Sequence, residues 1–287
     1  MEIGDSLIHS RSVPAGQSGE LIQFSRHTVH WDWMSFSVRR LAQGESWECH
    51  HAGEEAACVL LSGTCRLEWN NQHKEIGKRK TVFDGLPYAL YLAPADRARF
   101  TAMSPCEIAE CHVPSQSQLP SRLVTPADVA VSLRGGGNVS RQIVDIMPPA
   151  FPADRLIAIE VYTPGGNWSS YPPHKHDVHN PPAEVDLDEI YYYRMSRPGA
   201  FAHQRLYKAD DSRDSMVIAR DGDVVLVRDG YHPVVAGPGY DIYYLNFLAG
   251  SARALFVTED PNHVWIRSAW GKMDDRLPMI REEPLKA

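Results

Sequence analysis

The stretch Ser170-Tyr171-Pro172-Pro173-His174-Lys175-His176-Asp177 sets two imidazoles one residue apart after a rigid Pro-Pro step. Side chains of an extended chain alternate between faces, so His174 and His176 point one way and Lys175 the other. Two neutral imidazoles on one face are half of a metal site. Two residues further on can complete it. Glu189 opens the run Glu189-Ile190-Tyr191-Tyr192-Tyr193-Arg194, where Tyr191 and Tyr193 share its face. His232 follows a strand that starts at Gly222-Asp223 and a tight turn at Asp229-Gly230. Three nitrogens and one oxygen predict one divalent ion. Zinc, manganese, iron, nickel and cobalt all accept such a set.

Other side chains compete for these roles. Twelve residues separate His176 from Glu189, and Glu184, Asp186 and Asp188 lie among them. Glu189 is preferred because it abuts the aromatic strand. His179, in the same loop, reads as solvated. The first half carries Cys49-His50-His51-Ala52-Gly53-Glu54-Glu55, which imitates the metal motif. Adjacent histidines on a strand face opposite ways, so at most one of them points inward. The segment Gly85 to Pro94 also lacks a histidine to match His232. A structural first half without a metal is expected.

The elements that must hold these residues are short and β-like. Runs such as Arg155-Leu-Ile-Ala-Ile-Glu-Val-Tyr162, Asp223-Val-Val-Leu-Val-Arg228 and Tyr240-Asp-Ile-Tyr-Tyr-Leu-Asn-Phe-Leu-Ala-Gly250 are rich in Val, Ile, Leu and Tyr. Gly, Pro, Asp and Asn punctuate them. Short spaced strands of this kind predict an all-β sandwich or barrel. The best helix candidate is Thr125-Pro-Ala-Asp-Val-Ala-Val-Ser-Leu-Arg134, with Thr125 as cap and Pro126 in the first turn. A weak internal repeat links the halves. Each has a Gly-rich lead, a His pair followed by acids, and a later Asp-Gly turn into an apolar strand, which predicts a duplicated β-barrel. The expected division is an arm over 1–20, a first barrel over 21–113, a linker over 114–140, a second barrel over 141–266 and a tail over 267–287.

Bulk properties narrow the function. The net charge of −7 argues against a partner that is a nucleic-acid backbone. The five cysteines form no Cys-x-x-Cys pair, which suits a reduced, cytoplasmic protein. No apolar run approaches the roughly 20 residues of a membrane span. The first residues, Met1 to Ser12, lack the basic-then-apolar form of a secretory signal.

The order His-x-His, Glu, then Gly-x-His resembles the two motifs of the cupin superfamily, one from Gly166 to Gly199 and one from Gly222 to Asn246. Those motifs imply a jelly-roll barrel in which His174, His176, Glu189 and His232 hold a divalent ion. The long loop before Glu189, and Arg228 where proline is common, depart from the pattern. The strings around His174, Glu189, Gln204, His232 and Asp260-Pro-Asn-His-Val-Trp-Ile266 are narrower still. They are similar to the 5-deoxy-glucuronate isomerase family, double-barrelled cupins of bacterial inositol catabolism. The likeness is strong over 140–266 and fainter before.

This resemblance implies an aldose–ketose isomerisation of 5-deoxy-D-glucuronate to 5-dehydro-2-deoxy-D-gluconate, on two tandem cupin domains. It also implies association into a homo-oligomer through apolar sheet faces. Such chemistry needs a base, for which a hydroxide at the ion, Glu184, Asp177 or a tyrosine such as Tyr193 are candidates beside Glu189 itself. The sugar's carboxylate calls for a forked arginine. Arg141, Arg194 and Arg205 are the options, and Arg205 is preferred. Gln204, Tyr191 and Tyr193 are candidates for the sugar hydroxyls. Rival readings are 4-deoxy-5-hexosulose-uronate isomerase, an iron dioxygenase on the same ligand set, and a sugar-binding cupin without catalysis.

Overall fold

The computed structural model describes residues 6–14 and 16–281. Strands dominate it, and the described helices are three short 3-10 turns, Val82–Asp84, Gly137–Val139 and Val264–Ala269. The chain forms two compact units. Ser10–Val129 with Ile146–Leu156 makes most of the first, and Ala130–Asp145 with Ile157–Met279 most of the second.

In the first unit a six-stranded antiparallel sheet runs in the order Arg122–Val124, Tyr88–Leu92, Glu54–Ser62, Cys106–Pro114, Ser35–Leu41, Gly19–Phe24. A four-stranded sheet of Ser46–Cys49, Ala98–Ala102, Cys65–Trp69 and Gln72–Ile76 accompanies it. Side chains of both sheets, among them Leu41, Leu60, Leu67, Leu90, Phe100 and Ile108, share one apolar core.

The second unit repeats this plan. Its larger sheet runs Leu7–Ile8, Val224–Val227, Leu187–Met195, Ile242–Gly250, Ile157–Thr163, Arg141–Met147, Ala130–Arg134. A four-stranded sheet holds Trp168–Ser169, Val234–Ala236, Phe201–Tyr207 and Asp214–Arg220. Tyr191, Tyr193, Leu206, Val225, Val234 and Tyr244 pack in the core between them. Ile242–Gly250 is buried along its whole length, which explains its nearly continuous apolar sequence. His174–Lys175 pairs with Thr258–Glu259 as a two-stranded ribbon.

Two expectations change. Thr125 to Arg134 is not a helix. Asp128 accepts from the Thr125 amide and hydroxyl in a turn, and Ala130–Arg134 then pairs with Arg141 to Asp145 as an edge strand. A ten-residue helix is marginal by itself, whereas a ready strand partner satisfies the same backbone groups. The expected linker over 114–140 likewise supplies Arg122–Val124 to the first unit and Ala130–Arg134 to the second, and the chain returns to the first unit at Ile146–Leu156. Residues 1–5, 15 and 282–287 of the expected arm and tail lie outside the described residues.

Candidate functional site

Three elements of the second unit bring the metal candidates together. His174 sits in the ribbon and His176 just past it, Glu189 is the third residue of Leu187–Met195, and His232 lies between Val224–Val227 and Val234–Ala236. One donor atom each from His174, His176 and His232 lies within 4.8 Å of the other two. Glu189 Oε2 stands 2.9 Å from His176 Nε2 and 3.3 Å from His232 Nε2. Lys175 turns elsewhere and binds Asp177 and Glu184, as the alternation requires.

The backbone decides which nitrogen each ring presents. His176 Nδ1 donates to the Leu187 carbonyl at 2.9 Å, and His232 Nδ1 to the Gly230 carbonyl at 3.0 Å. Each Nε2 is thereby left facing the cluster, the tautomer a metal ligand needs. His232 Nε2 is fully buried and has no hydrogen-bond partner among the described residues. A buried imidazole nitrogen without a partner is costly. Here it faces a carboxylate and two further imidazoles, the donor set of a divalent transition metal. The residues present fit such an ion.

The turn that delivers His232 depends on Gly230. Its φ is +77°, and a Cβ there would lie 2.5 Å from the Tyr207 carbonyl oxygen. Asp177 Oδ2 accepts from the Gly230 amide at 2.8 Å, so the aspartate next to the histidine pair anchors the turn that leads to His232.

Electrostatics follow from burial. Burial, with His232 and His176 close by, holds His174 well below the usual imidazole range, so it is neutral. Burial opposes ionisation of Glu189, yet the close contact with His176 and the charge of His176 and His232 outweigh it and bring the carboxyl down to about 2. Burial likewise opposes charge on His176, but its contact with Glu189 raises it.

A cavity of about 530 Å³ opens beside the cluster. His174, His176 and Glu189 line it, with Arg141, Ser170, Tyr191, Tyr244 and Asn246, and with apolar Ile143, Ile159, Val161 and Leu248. Tyr191 hydroxyl bonds Ser170 Oγ at 3.0 Å, and Tyr244 hydroxyl bonds Ser169 Oγ. Burial raises both phenols, so they keep their protons. Arg141 donates to the Val139 carbonyl at 3.1 Å and forms no ion pair with a described residue, while burial pulls its pKa down. Of the other lining arginines, Arg267 is held by Glu259 and Arg134 is exposed.

Several expected substrate residues stand elsewhere. Arg205 is on the surface, forked onto Asp214 at 2.8 Å and stacked over Tyr207, and does not line the cavity. Arg194 is bound to Asp221 at 2.9 Å. Tyr193 and Gln204 are buried against each other, with Tyr193 hydroxyl donating to Gln204 Oε1 at 2.9 Å, and Gln204 reaches the His232 carbonyl at 3.4 Å. They support the segment that carries His232 and do not line the cavity. Asp177 and Glu184 are engaged by Lys175 and by backbone amides, so neither is placed to take a substrate proton. His179 bonds Ser251 on the surface. Tyr244, Asn246 and Ser170 were not singled out from sequence. The readable signal for the first two was the inward alternation of the strand that Ile242 opens.

The KduI/IolB family profile matches residues 7–266. The chain belongs to the KduI/IolB family. It is 40% identical over 252 residues to a 5-deoxy-glucuronate isomerase of Geobacillus thermodenitrificans (strain NG80-2), covering 87% of this chain and 92% of that protein. The 5-deoxy-glucuronate isomerase of Bacillus subtilis (strain 168) is 38% identical over 237 residues, 82% of this chain and 88% of that one. Among solved structures, an IolB-like protein from Salmonella typhimurium LT2 superposes with a TM-score of 0.87 at 37% identity, over 91% of this chain and 98% of that chain. An oxalate decarboxylase of Lactobacillus farciminis shares the fold, with a TM-score of 0.60 at 11% identity over 88% and 86% of the two chains. Family members of this kind are enzymes, and the site described above lies within the matched span.

Proposed function

We propose that this chain is a metal-dependent aldose–ketose isomerase converting 5-deoxy-D-glucuronate to 5-dehydro-2-deoxy-D-gluconate. We read its two units as tandem cupin barrels, with the working site in the second. The observation that carries the reading is the clustered set His174, His176, Glu189 and His232 beside a cavity of about 530 Å³, in a chain whose relatives bear that isomerase name.

The reaction moves a proton between neighbouring carbons with no net redox change. A divalent ion held by those four residues would supply Lewis-acid polarisation of the sugar's carbonyl and adjacent hydroxyl. The chain's own groups do the rest. Tyr191 and Tyr244, protonated and aimed into the cavity, donate hydrogen bonds to oxygens on which negative charge develops. Arg141, which forms no ion pair with a described residue and is partly desolvated, takes the substrate carboxylate through its fork. This replaces the assignment to Arg205. Apolar Ile143, Ile159 and Val161 exclude water around the reacting carbons.

Stripped and metal-reconstituted protein should be assayed with 5-deoxy-glucuronate by NMR in deuterated water. We expect turnover only after reconstitution, undiminished without oxygen, and solvent deuterium entering at the exchanged carbon. Full turnover by rigorously stripped protein would refute the metal role, and an oxygen requirement would refute the isomerase reading.

A further inference from the structure

The first unit holds a constellation that the isomerase site does not use. On Cys106–Pro114 the residues Cys106, Ile108, Glu110 and His112 alternate onto one face, and Cys106 and Ile108 belong to the apolar core. Glu110 and His112 therefore point the same way. Glu54–Ser62 repeats the pattern, with Glu54 ahead of the core residues Ala56, Cys58 and Leu60. Cys49, last residue of Ser46–Cys49, is itself in that core. Of the adjacent histidines, His50 is tied to the Asp96 carbonyl at 3.0 Å, and His51 reaches Glu110. A thiol, two imidazoles and two carboxylates thus meet at the edge of the apolar core, with Cys49 and Glu110 buried and His51, Glu54 and His112 half-buried.

The geometry centres on one oxygen. His51 Nε2 and Cys49 Sγ lie 2.6 and 3.0 Å from Glu110 Oε1. Ser37 Oγ donates to the other carboxylate oxygen at 3.0 Å and holds its orientation, as outer partners of metal ligands do. One donor atom each from Cys49, His51 and Glu110 lies within 4.8 Å of the other two. His112 stacks on His51 with ring centres 3.7 Å apart and planes at 7°, and its own Nδ1 is held by Glu54. That pair braces His51, and each of its members already satisfies the other.

We propose that Cys49, His51 and Glu110 form a second metal site, selective for a thiophilic divalent ion of the zinc class, with one coordination position open. Sulfur, nitrogen and oxygen donors together favour zinc over hard cations. Binding replaces the Cys49 S–H bond by a sulfur–metal bond, and the proton leaves to solvent. The placement parallels the isomerase site. Glu54–Ser62 occupies in its sheet the position of Leu187–Met195 in the other, and His51 precedes it as His174 and His176 precede Leu187–Met195, whereas Glu110 comes from the neighbouring strand Cys106–Pro114. This proposal departs from the expectation of a metal-free first half, and it rests on residues independent of the isomerase reading.

The full chain, stripped and then loaded with Co(II), tests this. We expect two cobalt ions per chain and a near-ultraviolet thiolate-to-cobalt charge-transfer band, since the four ligands of the second unit include no sulfur. Cys49→Ser should lose the band and retain one ion, with isomerase turnover showing that it is folded. Glu54→Gln should keep both ions, and His232→Ala should keep the band. If Cys49→Ser does not fold, Glu110→Gln serves instead, weakening retention of the second ion at least tenfold. One ion per chain without a band would overturn the proposal. So would two ions without a band whose second equivalent is lost in His112→Ala, which would assign the site to His51, Glu54 and His112.

Discussion

Replacing Arg141 by methionine should remove the grip on the sugar's carboxylate and leave the fold intact. The guanidinium lines the cavity, makes one hydrogen bond to the Val139 carbonyl, and pairs with no described carboxylate. A forked contact to a substrate carboxylate comprises two charge-assisted hydrogen bonds of about 1.5–3 kcal/mol each. At about 1.4 kcal/mol per tenfold, their loss lowers kcat/KM by roughly 10²–10⁴. The stability side nearly cancels. One hydrogen bond of about 0.5–1.5 kcal/mol is lost, while a half-buried charge that pairs with no described carboxylate is replaced by an apolar chain of similar length, which is favourable. Arg141→Lys keeps the charge without the fork and should fall between parent and Arg141→Met. Steady-state kinetics with 5-deoxy-glucuronate and urea unfolding of the same samples read both quantities. A kcat/KM within threefold of the parent would refute the assignment. So would a stability loss above about 2 kcal/mol, because it would mark Arg141 as a structural group.

Other outcomes follow from the same geometry. His174→Ala and His232→Ala should each lower retained metal and turnover by more than the roughly 10–100-fold typical of groups that merely support a ligand, read by elemental analysis beside kinetics. Arg205→Ala should leave kcat/KM unchanged, since its fork is spent on Asp214; a hundredfold loss would return Arg205 to the site. Gln204→Leu strands the buried Tyr193 hydroxyl and should cost about 1–3 kcal/mol in a denaturant melt. Asp177 gives a pH signature. Burial resists its ionisation, but Lys175 and the Gly230 amide outweigh this and hold its carboxyl below the usual range. A depressed carboxyl contributes stability above its unfolded value of about 3.9, lost as pH falls through the folded value. Asp177→Asn should therefore flatten the acid limb of stability below about pH 4, and an unchanged limb would count against the anchor.

The cluster of His174, His176, Glu189 and His232 was legible because it rests on local rules. Alternation decided that His174 and His176 share a face and Lys175 does not, and nearness to the aromatic strand preferred Glu189 over Glu184. The Asp-Gly turn marked the approach to His232, and in the first half alternation allowed only one of His50 and His51 to join the inner cluster. The misread segment, Thr125 to Arg134, carried honest helix signals. A strand partner further along the chain, Arg141 to Asp145, prevailed.

Sequence by itself therefore determined the strand-rich class, the family and the residues able to hold an ion, since residue type, spacing and a two-residue period are all local quantities. Tertiary structure alone decided which charges are used up. Arg205 and Arg141 look alike as letters, but the hairpin brings Asp214 to Arg205, and no described carboxylate reaches Arg141. Asp177 and Glu184 look like bases until Lys175 and backbone amides occupy them. Cys49 and Glu110, sixty-one residues apart, become neighbours only when their sheets close over one core. The availability of a charged group depends on the partners that long-range packing brings to it, which no local pattern records.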